Sequence, residues 1–183
     1  MFGPTIKTNR LILRPIGLSD VDAVHAYASN PTVTRYMLWG PNTYKETREF
    51  VRRVRDNGRA EPRRAYDFAI TLTESEQLIG ACGLYGRDTI HRSAELGYVL
   101  APQYWGLGYM TEAASGILDY GFGALRLHRI FAHCHPDNSA SANVLKKLGM
   151  TYEGRLREAR CIKGEWWDFS VYGVLDREHR TRL

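Results

Sequence analysis

The run from Glu95 to Ala113, ELGYVLAPQYWGLGYMTEA, constrains this 183-residue chain more than any other segment. Leu96, Tyr98 and Leu100 alternate with Glu95, Gly97 and Val99, which predicts a strand. Pro102 removes a ladder donor and ends it. Gln103, Tyr104 and Trp105 lead into Gly106-Leu107-Gly108, where two glycines around one residue permit a tight turn with bare N–H groups. Beyond Gly108, the residues Met110, Ala113, Ala114, Ile117, Leu118 and Leu125 fall on one helical stripe. Unpaired amides and the positive end of a helix dipole then coincide, and this predicts an anion site. An ordinary glycine turn between a strand and a helix has the same outward pattern. A dinucleotide fingerprint would need a third glycine where Thr111 stands, and a P-loop would need Gly-Lys-Ser/Thr.

The rest of the chain supplies a mixed frame. Residues 8–15 read as a strand stopped by Pro15. Ser19 with Asp22 reads as the start of a helix that turns Val21, Val24 and Ala28 inward. The loop 32–41 carries Tyr36, Met37, Leu38 and Trp39, which either plug the core or wall a substrate pocket. Thr43 with Glu46 repeats the capping pattern and opens a second helix. Residues 65–72 and 78–85 read as a hairpin, 87–92 as a loop, and 127–133 as a strand. A short helix over 138–148 ends at Gly149. Strands 152–162 and 166–175, turned at Lys163-Gly164, close the chain, with Trp166 and Trp167 packing this last hairpin. The order is βααβββαβαββ in a single domain spanning 1–183, a mixed α/β chain of α+β type.

Composition narrows the function classes. Hydrophobic residues at 44% and charged residues at 25% suit a globular domain rather than a disordered one. No apolar run reaches bilayer length, and residues 1–10 lack a signal-peptide core. Cys82, Cys134 and Cys161 are odd in number without CxxC spacing. They read as reduced cytoplasmic thiols packed within strands. The net charge of +5 suits a polyanionic cofactor. Its densest cluster, Arg48, Arg52, Arg53, Arg55, Arg59, Arg63 and Arg64, reads as a solvated face, and no nucleic-acid motif accompanies it. His133 and His135 would point the same way on a strand, yet no third ligand has suitable spacing, so no metal site is predicted.

Gln103-x-x-Gly106-x-Gly108 resembles the acyl-CoA pyrophosphate loop of the GNAT N-acetyltransferases. Asn138 to Met150 (NSASANVLKKLGM) resembles that family's segment after its fifth strand, with Met150 in place of Phe. The element order matches as well, so the resemblance covers nearly the whole chain. Thr8-x-Arg10-Leu11-x-Leu13-Arg14, Leu38-Trp39-Gly40-Pro41, Glu95-Leu96-Gly97-Tyr98 and Gly164-x-Trp166-x-Asp168 are similar to the RimJ/RimL branch. That branch acetylates the N termini of ribosomal proteins.

The resemblance implies a mostly antiparallel central sheet, splayed at the acetyl-CoA site and flanked by about four helices. It implies acetyl-CoA as donor, without metal, held by Tyr98 to Leu100, Gln103 to Thr111, Asn138, Ser141 and Asn143. Glu95 is implied as the base that neutralises the acceptor amine, with backbone amides near Val99 and Leu100 stabilising the oxyanion. Many relatives place a tyrosine acid where Leu145 stands, and Leu145 cannot donate a proton. Ser141 is therefore the expected stabiliser of the departing thiolate. Tyr36, Trp39 and Tyr85 are expected at the acceptor. The α-amine of a protein or peptide is the first acceptor reading and a small-molecule amine, such as a polyamine, the second. A non-catalytic acyl-CoA-binding protein is the rival from another class. Homodimers, common in the family, would pair through an edge strand of the C-terminal hairpin.

Overall fold

Short alternating segments build one sheet, and the stretches with helical periodicity cover its two faces. The computed structural model describes residues 4–181. In chain order the strands are β1 (Ile6–Lys7), β2 (Leu11–Pro15), β3 (Tyr66–Leu72), β4 (Leu78–Asp88), β5 (Ser93–Leu100), β6 (Arg129–Cys134), β7 (Thr151–Ile162) and β8 (Glu165–Leu175). The helices are α1 (Val21–Ala28), α2 (Pro31–Thr34), α3 (Tyr44–Asn57), α4 (Tyr109–Gly123), α5 (Ser139–Lys147) and α6 (Asp176–Arg180). The eight strands lie in the order β1-β2-β3-β4-β5-β6-β8-β7. Among the described residues only the β5–β6 pairing is parallel. Among the described residues no helix is long and apolar enough to cross a membrane.

The two faces bury different cores. On one, Met110, Ala113, Ala114, Ile117 and Leu118 of α4 pack with Leu11, Leu13, Phe68, Ile70, Leu84 and Leu96. On the other, Val24 and Ala28 of α1 and Val51 and Val54 of α3 pack with Ala69 and Ala81. The Thr43–Glu46 capping box forms as expected: the Thr43 hydroxyl accepts from Glu46 N–H at 3.3 Å and the Glu46 carboxylate accepts from Thr43 N–H at 2.7 Å.

Several sequence expectations are corrected. The Ser19–Asp22 box does not form. Asp20 instead accepts from Gly17 N–H at 2.7 Å and from both Nη atoms of Arg14, while Asp22 accepts from the Tyr44 hydroxyl. Residues 31–34 form a one-turn helix capped by Asn30, β4 runs through Asp88, and α6 follows the last strand. Leu125 lies past the end of α4, though it still packs on the core. Trp167 is buried in the closing hairpin, whereas Trp166 points outward at 65% exposure, and Cys161 is exposed on β7. Residues 1–3 and 182–183, the ends of the expected domain and part of its N-terminal reading, lie outside the described residues.

Candidate active site

The parallel pair β5–β6 sets the position of the site. Pairing runs from Ser93–Arg129 to Glu95–Phe131 and stops, so β5 and β6 part beyond Glu95 and leave the β5 edge without a ladder partner there. A cavity of about 720 Å³ occupies this opening. Glu95, Gly97, Tyr98 and Val99 of β5 line it, with His133 and Cys134 of β6, Asn138 and Ser141 at the start of α5, and Tyr36 and Trp39 from the α2–α3 loop. The apolar loop therefore walls this cavity, while its Trp39 also packs on the core beneath α1 and α3.

Directly paired residues share a face of the sheet. Tyr85 pairs with Glu95, Gly83 with Gly97, and Asp67 with Gly83, so all five lie on the face covered by α1 and α3. His133, two residues beyond Phe131, joins them. Its Nδ1–H donates to the Glu95 Oε1 at 2.8 Å. The imidazole is held edge-on by Phe131 and Phe169. His135 stacks on Tyr36, ring centroids 5.0 Å apart, and meets Trp167 edge-on. The two histidines thus serve different neighbours, and among the described residues no cluster of three ligating side chains forms.

Tyr85 meets two glycines, setting the Cε2–Cδ2 edge of its ring against Gly97 and its hydroxyl end against Gly83. A Cβ at position 97 would stand 2.8 Å from its ring, and one at position 83 would stand 3.0 Å from its hydroxyl. That hydroxyl hydrogen-bonds Asp67, and burial followed by the Asp67 charge raises its pKa well above the usual tyrosine range. Burial also pushes the Asp67 carboxyl above the ordinary aspartate value, against the Tyr85 hydrogen bond and the more distant Arg63 and Arg53.

The glycine turn has the geometry of an anion cradle. Pro102–Tyr104 forms a 3-10 turn, and Trp105 Nε1–H donates to the Leu100 carbonyl at 2.7 Å, folding the loop back on β5. Gly106 (φ 76°) and Gly108 (φ 81°) are left-handed, and the space beside Gly106 is open. Glu112 N–H is the first amide of α4 to bond back, to the Gly108 carbonyl. The amides of Tyr109, Met110 and Thr111 therefore have no intrahelical acceptor. Gln103 and Leu107 are exposed on the loop, and Tyr104 packs edge-on against Tyr109. Met110 is buried in the core, so its main chain alone can serve a ligand.

The N-terminal Thr8 and Arg10 gain a role that the sequence did not reveal. Arg10 donates to Glu112 at 2.7 Å and to the Leu107 carbonyl at 3.1 Å, Thr8 donates to Glu112 at 2.7 Å, and the guanidinium lies 4.3 Å from the Tyr109 ring centre. Against its burial, these bonds hold the Glu112 carboxyl below the usual carboxylate range. Together they tie the first strands to the glycine turn.

Across the opening, Asn138 caps α5 by accepting from Ser141 N–H at 3.1 Å. The Ser141 hydroxyl sits 2.9 Å from the Tyr98 hydroxyl, whose pKa burial raises. Leu145 is wholly buried in the core, and Asn143 is exposed outside the cavity. The structure therefore gathers Glu95, Tyr98, Val99, Asn138 and Ser141 around one opening, with Tyr36, Trp39 and Tyr85 beside it. Asn143 is not brought in. Sequence reasoning did not assign Asp67 to the site, or His133 except as a discarded ligand. Strand alternation along β6 carried the signal for His133.

Residues 10–151 match the model of the acetyltransferase (GNAT) domain, and the chain belongs to this family of acetyl-CoA-dependent N-acetyltransferases. It is 36% identical to the uncharacterized N-acetyltransferase p20 of Bacillus licheniformis, over 96% of this chain and 98% of that protein. A GNAT-family acetyltransferase from Bacillus anthracis shares 35% identity with a TM-score of 0.85, covering 96% and 100% of the two chains. A spermidine N-acetyltransferase from Vibrio cholerae, solved with CoA and spermine, shares 26% identity with a TM-score of 0.81, covering 94% and 99%. The eight-stranded, mostly antiparallel sheet is the expected GNAT fold, and the enzyme is an acyltransferase.

Proposed function

We propose that this enzyme transfers acetyl from acetyl-CoA directly to a primary amine held in the 720 Å³ cavity, with Glu95 as the base. The observation that carries this reading is the Glu95–His133 pair at the point where β5 and β6 part. When bound, acetyl-CoA supplies an activated acyl thioester. The free amides of Tyr109, Met110 and Thr111 at the α4 N terminus suit its pyrophosphate. Glu95 takes the ammonium proton and the His133 N–H holds the carboxylate aligned, so the amine attacks in its neutral form. The Ser141 hydroxyl, positioned by Tyr98 and the Asn138 cap, offers a hydrogen bond to the departing thiolate.

The lining offers carboxylates from Asp67, Glu46, Glu49 and Glu95 against guanidiniums from Arg53 and Arg160. An acidic interior on a chain of net charge +5 supports a small cationic amine as acceptor, and we place this reading first. The Tyr36–Leu38–Trp39 wall supports the protein or peptide α-amine of a RimJ/RimL-like enzyme as the second. One acetyltransferase domain over 1–183, a reducing cytoplasmic setting for the three free thiols, and a homodimer paired through the exposed edge strand β7 complete the proposal. CoA release measured against N-terminal peptides and small amines tests the acceptor. Faster turnover of peptides than of every small amine would reverse the order of the two readings.

A further inference from the structure

Of the cavity carboxylates with no task in the transfer itself, Asp67 alone is buried, whereas Glu46 and Glu49 are exposed. Asp67 lines the cavity at 7% exposure. Among the described residues it forms no ion pair within 4 Å. Its hydrogen bond is to the Tyr85 hydroxyl, and Arg63 and Arg53 act on it from farther away. A buried carboxylate without a cation is costly unless a ligand supplies the charge.

Its setting indicates which ligand that is. The Tyr85 ring stands with its Cε2 edge against Gly97, and its hydroxyl sits beside Gly83, the residue paired with Asp67. Glu95 stands two residues before Gly97 on the same face. The order across the floor is therefore carboxylate, aromatic ring, carboxylate. Strand spacing and rise put the two acidic residues about 12 Å apart at Cα. A hydrocarbon chain packs on an aromatic face, while an ammonium at each end meets a carboxylate.

We propose that Asp67 and Tyr85 form a second recognition point for the far ammonium group of the acceptor, so that the enzyme selects small α,ω-diamines over monoamines. This rests on the small-amine reading of the same cavity and adds its determinant. The test compares kcat/KM for a series of α,ω-diamines with alkyl monoamines of equal length, using acetyl-CoA as donor. Wild type is expected to favour the best diamine by about tenfold or more, as one buried charge-assisted contact implies. In Asp67→Asn this ratio falls toward one through a higher diamine KM, while Asp67→Glu recovers part of it. Glu95→Gln slows both amines and keeps the ratio. Calorimetric binding of acetyl-CoA by Asp67→Asn confirms that the variant is folded, and diamine alone should raise the Tm of wild type but not of this variant. A wild-type ratio near one, or an unchanged ratio in Asp67→Asn, would overturn the proposal. Stabilisation by diamine that depends on Asp67, without turnover of any amine, would instead remove the small-amine transfer reading and leave the subsite standing.

Discussion

Gly97→Ala isolates the contact that shapes the cavity floor. The added methyl would stand 2.8 Å from Tyr85 Cε2 and 3.3 Å from Cδ2. Carbon atoms settle at about 3.5–4.0 Å, so the ring must retreat by roughly 1 Å. The sheet lies beneath, which leaves the cavity as the direction of retreat. Overpacking of this kind costs about 1–3 kcal/mol, and in a chain of this length each kcal/mol lowers Tm by about 2–4 °C. Displacing by this distance a cavity-lining ring that the proposal sets against the acceptor can lower acceptor kcat/KM by about 100-fold. Acetyl-CoA binding, which the proposal places on the glycine turn and α5, should hold. Differential scanning calorimetry and CoA-release kinetics read both effects. Gly106→Ala is the control: it has open space but φ 76°, so it carries backbone strain of about 1–2 kcal/mol without touching Tyr85. A Gly97→Ala protein with wild-type Tm and wild-type acceptor kcat/KM would refute the account of the floor.

Other perturbations separate the remaining parts. Asn138→Ala removes the α5 cap, and should cost about 1 kcal/mol by denaturant unfolding and weaken acetyl-CoA binding by calorimetry. Tyr98→Phe frees the Ser141 hydroxyl from its partner and should lower kcat by roughly tenfold in steady-state assays without altering acceptor KM. Two aspartates should give opposite pH signatures in Tm. Asp20 has a lowered folded-state pKa: burial opposes this, and the Arg14 and Gly17 hydrogen bonds prevail. Its stabilisation is therefore present above the ordinary value of 3.8 and lost as pH falls through the folded value, and Asp20→Asn should lose about 2 kcal/mol at neutral pH. Asp67 is raised by burial, so wild type loses stability as pH climbs from 3.8 through its folded value, and Asp67→Asn should gain on wild type across that window.

The glycine turn, the α3 cap and the main strands were legible because each is carried by neighbours in sequence. A Thr43–Glu46 box or a Gly106–Gly108 turn needs only local chemistry. β1, α2 and α6 span two to five residues, too few for a period to show. Asp20 displaced Ser19 and Asp22 because Arg14, on a neighbouring strand, supplied a charge that the local pattern did not contain. The site divides in the same way. Glu95 and Ser141 came from motifs. His133 and Asp67 enter through strand register between segments 38 and 28 residues away from Glu95, and no spacing rule records that. Gly97 read as part of a motif, while its physical reason, the edge of the Tyr85 ring set against it, exists only once β4 and β5 pair.

The proposed transfer chemistry turns on Glu95. Single-turnover CoA release by Glu95→Gln, with acetyl-CoA affinity measured on the same sample, tests it most directly. The account predicts intact acetyl-CoA binding with the transfer rate reduced by about 100-fold or more, as for loss of a general base. A Glu95→Gln enzyme that transfers acetyl at the wild-type rate would contradict it.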